Sequence, residues 1–265
     1  MTKDITVALV SGANRGIGME IARQLGLSGA HVVVGSRMLK AGLEAAEVLS
    51  AEGISAEAVV LDVVQQRTIS ALRRHLVQTH GGLDILVNNA GVSLQGFDAD
   101  IVRETLAVNY FGAVDLTDEL LPVMRSGARI VNISSSVANR DELHESFQSA
   151  FGDTSLSREG LEELLDKFSA AVKAGNHRHL GWPSSAYRIS KLALNELTQI
   201  LHRELESGPR GIVVNSACPG WVKTRMGGPG AINSLEEGAD TAVWLATDEK
   251  VGGGGFYSKR HSIDW

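Results

Sequence analysis

Apolar and polar positions change period repeatedly along the chain. Short β-branched runs at Ile5–Val10, His31–Gly35, Ala56–Leu61, Asp84–Val87 and Arg129–Ile133 read as buried strands. Ile17–Leu27, Leu39–Ala51 and Thr68–Thr79 lie between the earlier strands, with apolar residues at helical spacing, as in Ile17, Ile21 and Leu25. Strand, helix and strand repeated in this way predict an α/β domain with a doubly wound parallel sheet covered on both faces. Two more strands, Gly211–Ala217 and a short one near Gly255–Tyr257, flank a long helix from about Ser185 to Glu206.

The strand pattern stops between Ser136 and Pro183. The clearest helix of this stretch is Ser157–Val172, with Leu161, Leu164, Leu165, Phe168 and Val172 on one face and Ser157 as the expected N-cap. No Pro-rich linker or repeat divides the chain. Residues 1–265 are therefore read as one domain, with 137–183 as a helical insertion. The apolar stripe must pack on something, and the expectation is a monomer in which it covers the chain's own surface.

Composition narrows the class. With 265 residues, 43% hydrophobic content and 21% charged content, the chain can bury a core without disulfides or a structural metal. The formal net charge is −6 and the basic residues are scattered, so no nucleic-acid partner is expected. Cys218, the single cysteine, forbids an internal disulfide. The apolar run after Met1–Asp4 is too short for a signal peptide, and no apolar stretch is long enough for a membrane span. A cytoplasmic protein without a membrane partner is expected. His177 and His179, with His144 upstream, lack a converging carboxylate or third imidazole, and no metal is expected. Glycine, at 29 residues, is in excess of the average of about 7%.

Part of that excess has a clear use. Ser11-Gly12-Ala13-Asn14-Arg15-Gly16-Ile17-Gly18 follows the first strand and opens the first helix. Glycines at 12, 16 and 18 allow a tight turn, close approach of backbone N–H groups to a pyrophosphate, and close helix–sheet packing. This is the context a Rossmann-type dinucleotide site requires. An NAD site usually carries an acid after the second strand to hold the ribose 2′-hydroxyl, but this chain has Gly35-Ser36-Arg37. Arg37 and Arg15, with Lys40 in reserve, instead suit a 2′-phosphate, so NADPH/NADP+ is the expected cofactor. Asp62, after the third strand, is placed either to accept from an adenine amino group or to cap the next helix. Asn88-Asn89-Ala90-Gly91 forms a second loop at the carboxyl edge of the sheet, suited to cofactor contact or to tying strands together.

Tyr187 and Lys191, four apart on the long helix, share one face. An ammonium group near a phenol favours the phenolate and makes tyrosine a usable acid or base. Ser134-Ser135-Ser136 ends the fifth strand, and Asn109 lies on the preceding helix.

Together, the glycine loop, the Asn88–Gly91 motif, the serine and Tyr187-x-x-x-Lys191 resemble the short-chain dehydrogenase/reductase family over the whole chain. Gly181–Tyr187, Cys218–Thr224, Trp265 and the long gap between Ser135 and Tyr187 look like its monomeric NADPH-dependent carbonyl reductase branch. The resemblance implies that Tyr187 donates a proton to the substrate carbonyl and that Ser135 hydrogen-bonds the same oxygen. It implies that Lys191 lowers the tyrosine pKa and holds the nicotinamide ribose, and that Asn109 holds a relay water. Gly12, Asn14, Arg15, Gly16, Ile17, Gly18, Arg37, Asp62, Asn88, Ala90, Gly91, Pro219, Gly220, Val222 and Thr224 are the implied cofactor contacts, beside Tyr187 and Lys191. The implied pocket for a small carbonyl substrate comprises Ser135, Val137, Tyr187 and Trp221. Arg225 stands where that branch has an acid, and the segment after Gly91 is shorter, so no glutathione-type recognition is assumed. The glycines of Gly227-Gly228-Pro229-Gly230 would permit a hinge beside the pocket. The rival activities are oxidation of a specific terpenoid or steroid alcohol, and redox sensing without catalysis.

Overall fold

The computed structural model describes residues 5–265, with Glu142 described by its backbone alone; Met1–Asp4 lie outside the described residues. In the first half, β1 (Val7–Ser11), β2 (His31–Ser36) and β3 (Ala56–Val60) alternate with α1 (Gly16–Leu27), α2 (Leu39–Ala51) and α3 (Gln66–His75). After β4 (Leu83–Asn88), α4 (Ala99–Leu106) and α5 (Gly112–Leu120) form one helical rod interrupted by a wide π-type turn at Ala107–Phe111. β5 (Met124–Ile133) leads into the insertion with α6 (Glu145–Phe151) and α7 (Arg158–Lys173). The chain closes with α8 (Ala186–Glu206), β6 (Val213–Cys218), α9 (Leu235–Thr247), β7 (Phe256–Ser258) and β8 (His261–Ser262).

One eight-stranded sheet runs in the order β3-β2-β1-β4-β5-β6-β7-β8, parallel except for β8. Strand order reverses between β1 and β4, which opens a crevice at the carboxyl edge, where such sheets bind ligands. Alternation along each strand builds two cores. Val7 and Leu9 face the layer containing α3, α4, α5 and α8, whereas Ala8 and Val10 face α1, α2 and α9.

The element boundaries differ from the sequence pattern in small, explicable ways. Ile5 is exposed, and the first strand runs on to Ser11, whose hydroxyl donates to Val87 O. The expected Thr68–Thr79 helix divides into α3 and a wide turn at Leu76–His80, ended by Gly81 at φ 71°. The insertion holds α6 as well as α7, and α9 also lay outside the pattern read from the sequence. Ser157 caps α7 by accepting from Gly160 N at 3.2 Å. Leu161, Leu164, Leu165, Phe168 and Val172 are all buried in the same core as Ile189 and Leu192 of α8. Trp182 seals this layer by stacking on Phe147, with ring centres 3.7 Å apart. Among the described residues, no helix is long and apolar enough to cross a membrane.

Candidate active site

The glycine loop lies at the β1–β4 switch point. Gly12 and Gly16 adopt positive φ of 65° and 60°, a region that side chains disfavour. Gly18 is required by space: a Cβ there would stand 2.3 Å from Asn89 Nδ2 and 2.7 Å from Gly12 O. Asn89, passed over in the sequence reading in favour of its neighbours, secures the loop by donating to Ser11 O at 2.8 Å. Ser11 Oγ accepts from the backbone N–H groups of Asn89 and Ala90. The two ligand-facing loops are therefore fastened to each other. Their signal in the sequence was the doubled asparagine, but only the fold shows which of the two faces the loop.

Asn88 has a different task. Its buried amide donates to Thr117 Oγ1 and Asn132 Oδ1, at 3.0 and 2.8 Å. Asn132 continues to Thr198, and Thr198 to Ser216. This polar ladder ties β4, β5, α8 and β6 together beneath the crevice; the Asn88 amide nitrogen is committed to it, while its Oδ1 is buried without a partner among the described residues.

Arg15 and Arg37 flank the loop, exposed and without an ion pair among the described residues, whereas Lys40 is 3.9 Å from Glu44. No carboxylate ends β2; Ser36 occupies that place and donates to Met38 O. Asp62 shapes the turn after β3, accepting from Val64 N and Gln65 Nε2. A bare backbone cradle, two uncommitted guanidinium groups and the missing acid fit a nicotinamide dinucleotide bearing a 2′-phosphate.

The segment after β6 reaches across to the same loop. Gly220 has φ 73°, and a Cβ on it would come within 2.3 Å of Asn233 Nδ2. A Cβ on Gly16 would be 3.7 Å from Thr224 Cγ2, so Thr224 closes over the loop. Pro219 O accepts from Asn233, and Val222 is buried. Trp221, expected at the substrate pocket, is 55% exposed, and its indole donates to Gly227 O at 2.7 Å, folded onto the Gly227–Gly230 turn. Val137 is half-buried, with its N–H donating to Ser135 Oγ.

Tyr187 and Lys191 project from α8, whose first turn is capped by Ser185 accepting from Arg188 N. The Ser135 hydroxyl lies beside the Tyr187 phenol, near enough to act on its ionisation. Ser134 Oγ instead donates to Lys191 O at 3.2 Å, as the alternation along an extended segment requires. Lys191 Nζ is buried and donates to Ile133 O at 2.6 Å, 5.7 Å from the centre of the Tyr187 ring. A Cβ on Gly91 would stand 3.7 Å from that Nζ and 3.4 Å from Asn109 Oδ1, which places the Asn88–Gly91 loop directly over the pair.

Asn109 sits in the π-type turn between α4 and α5, a feature common at functional sites. Its amide donates to Val92 O and Ser190 Oγ, and its Oδ1 accepts from Val92 N. The side chain thus fastens the Val92 segment to α8. Ser190, which the sequence reading did not single out, is the intermediary: it also donates to Tyr187 O at 2.8 Å.

The electrostatics differ from the expected lysine-depressed phenol. Burial raises the Tyr187 pKa, and the nearby Ser135 hydroxyl only partly opposes it. The lysine does not reverse this, because its ammonium is turned to the Ile133 carbonyl and is itself disfavoured by desolvation, which lowers its pKa to about 8. Tyr187 is consequently held as the neutral phenol, the proton-carrying form.

The chain belongs to the short-chain dehydrogenase family: the family model "short chain dehydrogenase" matches residues 6–164. It is 40% identical over 277 residues to human "Carbonyl reductase [NADPH] 1", covering all of both chains. Among solved structures it resembles salutaridine reductase from Papaver somniferum, with a TM-score of 0.87, 30% identity, and coverage of 95% of this chain and 99% of the other. Menthone neomenthol reductase from Mentha piperita superposes with a TM-score of 0.84 at 27% identity, over 97% and 99% of the two chains.

Proposed function

We propose that this protein is an NADPH-dependent carbonyl reductase that converts a ketone or aldehyde to an alcohol. The observation that carries the reading is the pairing of a neutral Tyr187 phenol with the Ser135 hydroxyl at the carboxyl edge, beneath the Gly91 loop. NADPH, when bound, supplies the hydride. The glycine loop would hold its pyrophosphate, Arg15 and Arg37 its 2′-phosphate, and Lys191 its nicotinamide ribose.

Tyr187 donates its proton to the substrate oxygen, while Ser135 donates a hydrogen bond that stabilises the charge developing there. One hydride on carbon and one proton on oxygen complete the alcohol. Tyr187 then regains a proton from Lys191, whose pKa of about 8 lets it release and recover a proton near neutral pH. Asn109 keeps Val92 and Ser190 in register with α8 and, at the inner end of this route, is the residue assigned to relay water.

The apolar face of α7 is covered by the chain's own α8, which supports a monomeric enzyme. NADPH oxidation followed at the nicotinamide absorbance band with a panel of ketones and aldehydes tests the activity. Turnover with NADPH and at least one carbonyl is expected; cofactor binding with no turnover across the panel would favour a sensor. Light scattering tests the assembly, with a 28.2 kDa species expected.

A further inference from the structure

The amino edge of the sheet, opposite the cofactor crevice, gathers three histidines around one carboxylate. His31 opens β2, and Glu57 lies on the adjacent β3, where it pairs with Val33. His75 ends α3, and His80 ends the wide turn that follows. Nε2 of His80 and of His75 lie 2.7 and 2.8 Å from Glu57 Oε1, and His31 Nε2 lies 3.7 Å from the same atom.

One detail points beyond a set of ion pairs. His31 Nε2 is buried without a hydrogen-bond partner, although Nδ1 of the same ring is held by Ser55 Oγ at 2.7 Å. The serine fixes the ring and leaves Nε2 directed at the cluster with its coordination unused. An orphaned buried nitrogen of this kind is costly unless something binds it. The ligand atoms of His31, Glu57 and His80 all lie within 4.8 Å of one another. A zinc ion about 2.0–2.2 Å from each of its ligands needs separations of roughly 3.3–3.6 Å, so small side-chain rotations suffice to close the site.

We propose that His31, Glu57 and His80 bind a divalent first-row transition metal, zinc by ligand type, with His75 as an outer partner that orients the carboxylate. Two imidazoles, one carboxylate and a water complete a tetrahedron. The cluster retains a path to solvent, with side-chain exposure from 13% at His80 to 35% at His75. The ion would clip β2, β3 and the turn after α3 together at the edge farthest from the chemistry, so it would stabilise the fold without entering the reaction.

Titration of chelator-treated full-length protein with Zn2+, followed by calorimetry and thermal unfolding, tests the site. One saturable equivalent is expected, with a melting temperature that rises with zinc concentration as mass action requires. Co2+ should give visible ligand-field bands. His31→Ala/His80→Ala should lose the equivalent, and His75→Ala should weaken it about 10–100-fold. Carbonyl reduction is expected to stay unchanged in these variants, which verifies folding; should the double variant not fold, His80→Gln, which retains a donor toward Glu57, takes its place with the same loss expected. Absence of a saturable equivalent in the wild-type protein would overturn the site. Its full retention in a folded variant would also do so, assigning uptake to His144, His177 or His179.

Discussion

Lys191 donates to the main-chain carbonyl of Ile133 at 2.6 Å, which sets a buried ammonium against the strand that leads into Ser135. Desolvation lowers its pKa to about 8, against about 10.4 for an unfolded lysine. Between those values the unfolded chain binds more protons, so this group adds stability as pH rises from 8 toward 10.4 and withholds it at neutral pH. Lys191→Met should therefore raise the melting temperature of the cofactor-free protein at pH 7, by about 2–4 °C for each kcal/mol recovered, while abolishing turnover. Calorimetry of the two proteins checks the first effect. A lower melting temperature would mean that the Ile133 hydrogen bond outweighs desolvation.

Glu196 lies on the same helix, and burial raises its pKa to about 7 despite a hydrogen bond from Trp265 Nε1 at 2.9 Å and Arg140 at 3.7 Å. The folded chain binds the extra proton between about 4.3 and 7, so the stability that Glu196 contributes is complete at acid pH and is lost as pH rises through 7. Glu196→Gln keeps an acceptor for the indole and removes the titration. Its melting temperature should match the wild-type value near pH 4, rise progressively above it in the comparison as pH increases, and exceed it fully by pH 8. A difference independent of pH would show that packing, not ionisation, governs the site.

Arg37 offers its exposed guanidinium at the end of β2, where no carboxylate is present. Charge-assisted hydrogen bonds contribute about 1.5–3 kcal/mol, so Arg37→Ala should raise the KM for NADPH about 10–100-fold. The KM for NADH should not change. Parallel kinetics with both cofactors make the comparison; equal effects on the two would remove the 2′-phosphate role.

The fold and the meeting of Tyr187 with Lys191 on one helix face were legible because they rest on local signals: period changes, glycines that backbone geometry demands, and the four-residue spacing of the two residues. Choices between neighbouring side chains were less accessible. Asn88 and Asn89 are adjacent, yet one, the last residue of β4, joins the polar ladder and the other, just beyond it, holds Ser11. The direction of the Lys191 ammonium depends on a carbonyl far away in sequence, as does the hydrogen bond of the Trp221 indole on how the turn at Gly227 folds back. The histidine cluster left no motif at all, because His31, Glu57 and His80 meet only after β2, β3 and the turn following α3 have packed.

The central claim is that the phenol of Tyr187 supplies the proton. The most direct test is single-turnover NADPH oxidation by Tyr187→Phe with a carbonyl substrate, alongside equilibrium binding of NADPH. Removing a positioned general acid should lower the rate by about 10²–10⁴-fold, with NADPH affinity nearly unchanged. Turnover at the wild-type rate with tight NADPH binding would contradict the assignment and place the acid elsewhere.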